Sequence, residues 1–210
     1  MDTWPLRRLV LRTPRLELRP DDDAGLYELV EVARGGVHPP DEMPFGTPWT
    51  DAPPEQLGMN TMQFFWARRA ELSPRDWFVN FLIRVDGRVI GMQELAATDF
   101  ASLREVRSGS WLGKRYQKNG YGTEMRAAIL LFAFDHLGAE IARSAAWEKN
   151  VASNRVSERL GYVPDGSFRV APRGEPLTHT RLRLDKAAFR RPSWQLEVDG
   201  LADCVHLLTG

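Results

Sequence analysis

Cysteine is nearly absent. Cys204 is the only one in 210 residues, so no disulfide can form within the chain. The four histidines (His38, His136, His179 and His206) are scattered and show no metal-ligand spacing, so no metal site is expected. No apolar run is longer than Ala127–Phe134, far short of the ~20 residues that span a bilayer. Residues 1–12 lack the apolar stretch and small-residue cleavage site of a secretory signal. Excess charge is missing too: 28 Lys+Arg balance 28 Asp+Glu, leaving no global field to draw the chain to nucleic acid or to an anionic membrane. Arginine carries most of the positive charge, which reads as codon usage rather than a phosphate-binding surface. Together these absences point to a cytoplasmic protein without membrane or nucleic-acid partners. Internal repeats and low-complexity tracts are lacking as well.

What is present is an ordinary mix of apolar and charged residues, enough for one domain with a sizeable core. The residue pattern predicts an α+β fold. Residues 15–19 alternate as a strand, and Pro20–Asp23 offers an N-cap to a helix that Gly35–Gly36 ends. Residues 37–54, rich in proline and aromatics, suit an ordered loop, and a second helix follows over 55–69. Asp86-Gly87 between alternating apolar runs signals a type I′ hairpin joining strands 77–85 and 88–95. Next come a strand at 106–112, a long buried helix over 120–137 closed by Gly138, and a strand at 140–147. A short helix at 151–160 and late strands at 162–170 and 178–184 complete a largely antiparallel sheet. Residues 1–192 form the main domain. Residues 193–210 form an appended element, either an edge strand near 195–198 or a dimer contact. Val198, Leu201, Val205, Leu207 and Leu208 need a covering surface, in this chain or in another copy.

The chemistry concentrates between Ser110 and Tyr162. A strand (S-G-S-W-L) leads into a turn holding Gln117, Gly120 and Gly122 as Q-x-x-G-x-G, and the turn opens a helix. Glycines let backbone N–H groups approach a ligand, and a helix N-terminus offers unsatisfied donors and about half a positive charge. That combination binds phosphate or pyrophosphate, although glycines at a helix start can equally well do no more than permit the turn. Lys114, Arg115 and Lys118 add charge nearby. A Walker loop is excluded because no G-K-[ST] follows. A dinucleotide fold is disfavoured by the glycine spacing and by the lack of a βαβ unit.

After the helix comes a strand, then W-E-K-N-V-A-S-N-R-V-S-E-R-L-G-Y over 147–162. The linked motifs, strand-W-L, Q-x-x-G-Y-G-T-E and N-x-A-S-x-R-V-x-E-R-L-G-Y, resemble the GNAT (Gcn5-related N-acyltransferase) superfamily, and within it the RimJ/RimL type. The likeness is densest over 104–170 and extends from Arg15 to about residue 184. The loop 37–50 resembles an actinobacterial subset, some of whose members prefer succinyl-CoA. The resemblance implies the GNAT fold, in which splayed central strands bind coenzyme A. It implies acyl transfer from acetyl-CoA or succinyl-CoA to a primary amine of a small molecule or a protein N-terminus, by direct attack in a ternary complex.

Carried over residue by residue, Gln117, Lys118, Asn119, Gly120, Tyr121, Gly122 and Thr123 would cradle the pyrophosphate, mostly by backbone. Trp111, Leu112 and Gly113 would pair with the pantetheine arm and polarise the thioester carbonyl. Asn150 would contact the coenzyme, and Ser153 would lie near the sulfur as proton donor, though both are also ordinary helix-start residues. Relatives place a glutamate on the strand before the turn, and Arg107 stands there in this chain. The general base is therefore sought in Glu94 or Asp99, with Glu105 third, and Arg107 becomes a partner for a succinyl carboxylate. Glu124 complements the helix dipole. His38, Asp41, Phe45 and Trp49 of the loop, with Glu42 beside them and Trp77 nearby, are candidates for acceptor recognition, the alternative being a satellite core cluster. Two other readings are a non-catalytic acyl-CoA sensor and an acetyltransferase acting on amine antibiotics, whose pocket should be more acidic than Asp41 and Glu42 provide.

Overall fold

The computed structural model describes residues 2–210. One nine-stranded sheet runs through the chain in the order β7-β8-β6-β5-β4-β3-β2-β1-β9. Its strands are β1 Val10–Arg12, β2 Glu17–Pro20, β3 Asp76–Val85, β4 Arg88–Thr98, β5 Glu105–Leu112, β6 Ile141–Trp147, β7 Val163–Val170, β8 Leu177–Asp185 and β9 Glu197–Asp199. Every neighbouring pair is antiparallel except β5 and β6. Helices cover both faces. On one lie α1 (Asp23–Arg34) and α2 (Pro54–Ala70); on the other lies α4 (Tyr121–Leu131), with α5 (Val151–Leu160) beside it. No helix is long and apolar enough to cross a membrane, and among the described residues no group of three or more His, Cys, Asp or Glu could hold a metal ion.

Local chemistry sets these elements. The Asp22 carboxylate accepts the Gly25 N–H at 2.7 Å and starts α1, which buries Leu26, Leu29, Val30 and Ala33. Asp86 and Gly87 both have positive φ, 48° and 77°, as a type I′ turn requires. A Cβ at Gly25 would collide with Leu82, so glycine is what lets α1 settle on β3.

The helix expected to run unbroken to Leu137 does not. After Leu131 it widens into a π-helical turn over Phe132–Leu137 before Gly138 ends it at φ 79°. The wider turn seats Phe132 against Phe81 and Phe134 against Phe189, both fully buried. Strand β1 and the single-turn helices α3 (Phe100–Leu103), α6 (Leu201–Cys204) and α7 (His206–Thr209) were not expected. Residues 193–210 lie against the same core: β9 extends the sheet beyond β1, Cys204 and Leu208 are fully buried, and Val198, Leu201, Val205 and Leu207 pack against them. Their covering surface is in the chain itself.

Candidate active site

Strands β5 and β6 pair only at Glu105–Ile141, Val106–Ala142 and Arg107–Arg143. Beyond that they part, and the Ser144 hydroxyl donating to the Ser108 carbonyl at 3.3 Å is the last link. β4 stays paired to β5 through Leu112, and β8 stays paired to β6 through Trp147. The edges facing each other, 108–112 and 144–147, are therefore unladdered, and the sheet has a fork at its centre. Alternation on β5 sends Ser108, Ser110 and Leu112 to the α4 face and Arg107, Gly109 and Trp111 to the α1–α2 face.

On the α4 face the turn 113–123 leads from the fork into the helix. Lys118 (φ 65°) and Gly120 (φ 82°) are left-handed, a backbone alternation that turns successive N–H groups into a concave donor cluster. Among the described residues, no acceptor lies within hydrogen-bond reach of the N–H groups of residues 118–122. The Gln117 amide donates to the Val37 and Leu112 carbonyls (2.7 and 2.9 Å) and the Asn119 amide to the Tyr116 and Gln117 carbonyls (3.2 and 3.0 Å), so both side chains hold the turn and leave the backbone to a ligand. The buried Glu124 carboxylate accepts from Arg15 Nε at 2.7 Å and from the Thr13 hydroxyl at 2.5 Å, tying the β1–β2 turn to the helix start. Arg15 thereby joins Lys114 and Lys118 as a cation at the turn, stacked on Tyr121 and donating to the Asn119 carbonyl. No local motif marks Arg15 for this role.

Helix α5 stands beside this turn, with Val156 facing Gly122. Asn150 caps it: Oδ1 accepts the Ser153 N–H at 3.1 Å. The half-buried Ser153 hydroxyl has no hydrogen-bond partner among the described residues. The donors, the left-handed turn and the nearby cations fit a pyrophosphate, and the bare strand edges fit an extended amide-bearing arm.

The opposite face carries the other candidates. Glu94 pairs with Gly109 across β4–β5, and its carboxylate overlies that glycine. Burial holds its carboxyl above the usual carboxylate range, opposed by the charges of Arg107 and Arg68. Those two arginines sandwich Phe78, each 4.7 Å from its ring. An aromatic chain runs from Trp111 through Trp49 and Phe45 to His38, with centroids 5.2–5.6 Å apart. His38 is fixed by the Pro39 carbonyl and the Thr50 hydroxyl. Across the fork stand Trp147 and the buried His179, packed on Phe168. Burial lowers the His179 pKa, so its imidazole is neutral near pH 7. Arg173, in the β7–β8 loop, grips Asp51 with two bonds of 2.7 Å and the Pro40 carbonyl at 3.0 Å. Two loops are thus clasped over this face. His179 and Arg173 carry no local motif; His179 emerges from strand register and Arg173 from a contact between two loops.

Four sequence candidates do not join the site. Trp77 is fully buried against Phe100, because its pairing with Ala97 turns it into the core on the α4 side. Asp99 lies past the far end of β4, in the left-handed turn that leads into Phe100–Leu103, and pairs with exposed Arg75. Asp41 is exposed on the outside of its loop, facing Arg173. Glu105 sits at the base of the fork, where the strands still pair, and bonds Arg143 at 3.0 Å. Cys204 is buried far along the chain with its thiol pushed up to about 11 by burial, so it offers no nucleophile.

A family model described as an acetyltransferase (GNAT) domain matches residues 8–163. Similar solved structures include Mycobacterium smegmatis RimJ in complex with CoA-disulfide, at 16% identity over 96% of this chain and 95% of that one, TM-score 0.70. A Vibrio cholerae protein proposed to be a ribosomal-protein-serine acetyltransferase matches at 22% identity, 84% and 97% coverage and TM-score 0.65. A spermidine N-acetyltransferase SpeG chimera from Vibrio cholerae and hSSAT matches at 13% identity, 82% and 96% coverage and TM-score 0.62. At these identities the likeness is one of fold.

Proposed function

The chain belongs to the acetyltransferase (GNAT) family and is an acyl-CoA-dependent N-acyltransferase; on that premise we propose that it acylates a primary amine, of a small molecule or a protein N-terminus, by direct attack across the fork. The observation that carries this reading is the position of Glu94 over Gly109. The carboxylate lies on one face of the gap and the donor-rich turn opens on the other. Acyl-CoA is taken as lying along the bare edges of β5 and β6, with its pyrophosphate on the N–H groups of residues 118–122.

Each residue then has a defined task. The amine enters beneath the clasped loops, between Glu94 and His179. A free α-amine has a pKa near ~8 and a lysine near ~10.4, so the amine must shed a proton to attack, and Glu94 takes it. On the unladdered edge of β5 the Leu112 N–H faces the developing oxyanion, where one such donor is worth about 2.7–4 kcal/mol, whereas the Gly113 N–H is taken by the Ile90 carbonyl at 3.0 Å. Ser153, or water, returns a proton to the sulfur. No covalent acyl-enzyme is involved. The donor is acetyl-CoA or succinyl-CoA. Arg107, two residues from Gly109 on the acceptor face, is the cation a succinyl carboxylate would meet; equal losses with both donors in Arg107→Ala would remove that role.

The test is a thiol-release assay with either acyl-CoA and a panel of amines, the product identified by mass spectrometry. Amine-dependent release of free coenzyme A with an N-acyl product supports the reading. Coenzyme A binding without turnover of any amine would leave the non-catalytic sensor in its place.

A further inference from the structure

Buried polar atoms without a partner are unevenly spread through this molecule. Among the described residues, Gln93 Oε1, Ser108 Oγ, Arg126 Nε and the Tyr162 hydroxyl gather on the α4 side of the fork. At their centre is Arg126, on the second turn of α4 and only 4% exposed. Its Nη1 donates to the Ser144 hydroxyl and its Nη2 to the Ser110 hydroxyl, each at 3.2 Å. These serines belong to β6 and β5, just past the last paired residues. The guanidinium therefore straddles the opening of the fork. Tyr162 stands beside it and beside Ser108, its hydroxyl facing both, and it is the titratable group facing Arg126. No carboxylate pairs with Arg126 among the described residues.

A permanently charged side chain buried with only hydroxyl partners is costly. Fixed charges of this kind repay the cost where opposite charge develops during a reaction. In acyl transfer from a thioester, the group that becomes anionic on the α4 side is the sulfur, because the pyrophosphate turn opens on that face one helical turn before Arg126. The acyl group and the amine belong to the other face, with Glu94 and Arg107. We propose that Arg126 is a catalytic residue, whose guanidinium stabilises the coenzyme A thiolate as the carbon–sulfur bond breaks. The inference rests on reading the fork as the acyl-CoA site. In the step itself the amine lone pair forms the C–N bond, the C–S electron pair leaves on sulfur, Glu94 takes the amine proton, and Ser153 or water later protonates the thiolate.

The direct readout is the thiol pKa of bound coenzyme A, followed by ultraviolet thiolate absorbance across pH in the wild-type complex. A cation at contact distance should depress it by roughly one to three units from the ~8.5 of a free thiol. Arg126→Gln should return it to the free value and lower kcat with acetyl-CoA about 10²- to 10³-fold, whereas Arg126→Lys should keep the depression. A merely structural Arg126 would leave the bound thiol unshifted in the wild type, and that result overturns the proposal whether or not a variant folds. Loss of succinyl-CoA turnover alone in Arg126→Gln would overturn it too, by making Arg126 a receptor for the acyl carboxylate. Failure of coenzyme A to bind at all would instead bring down the acyl-CoA reading beneath it.

Discussion

Exchanging Glu94 for glutamine keeps the volume and planarity of the side chain over Gly109 and removes its ability to take a proton. A positioned general base contributes about 10²- to 10⁴-fold, or roughly 3–5 kcal/mol of barrier at ~1.36 kcal/mol per tenfold. We expect kcat of Glu94→Gln to fall by that factor with any accepted amine. The coenzyme A Kd should stay unchanged, because Glu94 and the donor-rich turn lie on opposite faces of the sheet. The pH profile sharpens the test. The base acts when ionised, and burial raises its pKa. In the wild type kcat/KM should therefore fall as pH drops through a limb lying above the ordinary carboxylate range, and Glu94→Gln should lack that limb. Arg107 lowers the Glu94 pKa, so Arg107→Ala should move the limb to higher pH. Stability follows the same linkage. A carboxyl whose folded pKa exceeds its unfolded value favours the fold at low pH, and that contribution is lost as pH rises through the folded value. At neutral pH the glutamine variant should melt no lower than the wild type. Steady-state thiol release and calorimetry decide the matter: a loss in kcat below tenfold with the acid limb intact would refute Glu94 as the base.

Gly120→Ala places an L side chain at φ 82°, a strain of about 1–2 kcal/mol, in the middle of the N–H cluster; we expect coenzyme A affinity to fall tenfold or more by calorimetry while kcat at saturation changes little. Arg173→Ala unclasps the two loops by removing the bonds to Asp51 and Pro40, and should raise the amine KM several-fold without changing coenzyme A Kd or Tm. Gly200→Ala drives a Cβ into the Arg8 carbonyl at φ 72°, unseating β9 and α6, so Cys204 should react with a thiol reagent far faster than in the wild type, where it is fully buried.

The sequence was most legible where a local rule decided the outcome. Asp86-Gly87, the Asn150 cap, Gly138 and Gly161 mark turns and helix ends that backbone sterics alone enforce. The pyrophosphate turn could be read because its chemistry is contiguous. The other face could not, because it is assembled by contacts distant in the chain: strand register brings Glu94 to Gly109 across fifteen residues, and a loop contact brings Arg173 to Asp51 across more than a hundred. Trp77 was misplaced for the same reason, since one residue along a strand decides which face a side chain joins. Nothing local marks Arg126, because its neighbours on β5 and β6 are brought to it only by the fold. The π turn after Leu131 carries no sequence mark either and follows from packing Phe132 and Phe134 together.

Calorimetric titration of the purified chain with coenzyme A tests most directly whether the amides of residues 118–122 hold a diphosphate. We expect saturable one-to-one binding that Gly120→Ala weakens and Glu94→Gln does not. No heat and no saturation with coenzyme A or either acyl-CoA would contradict it.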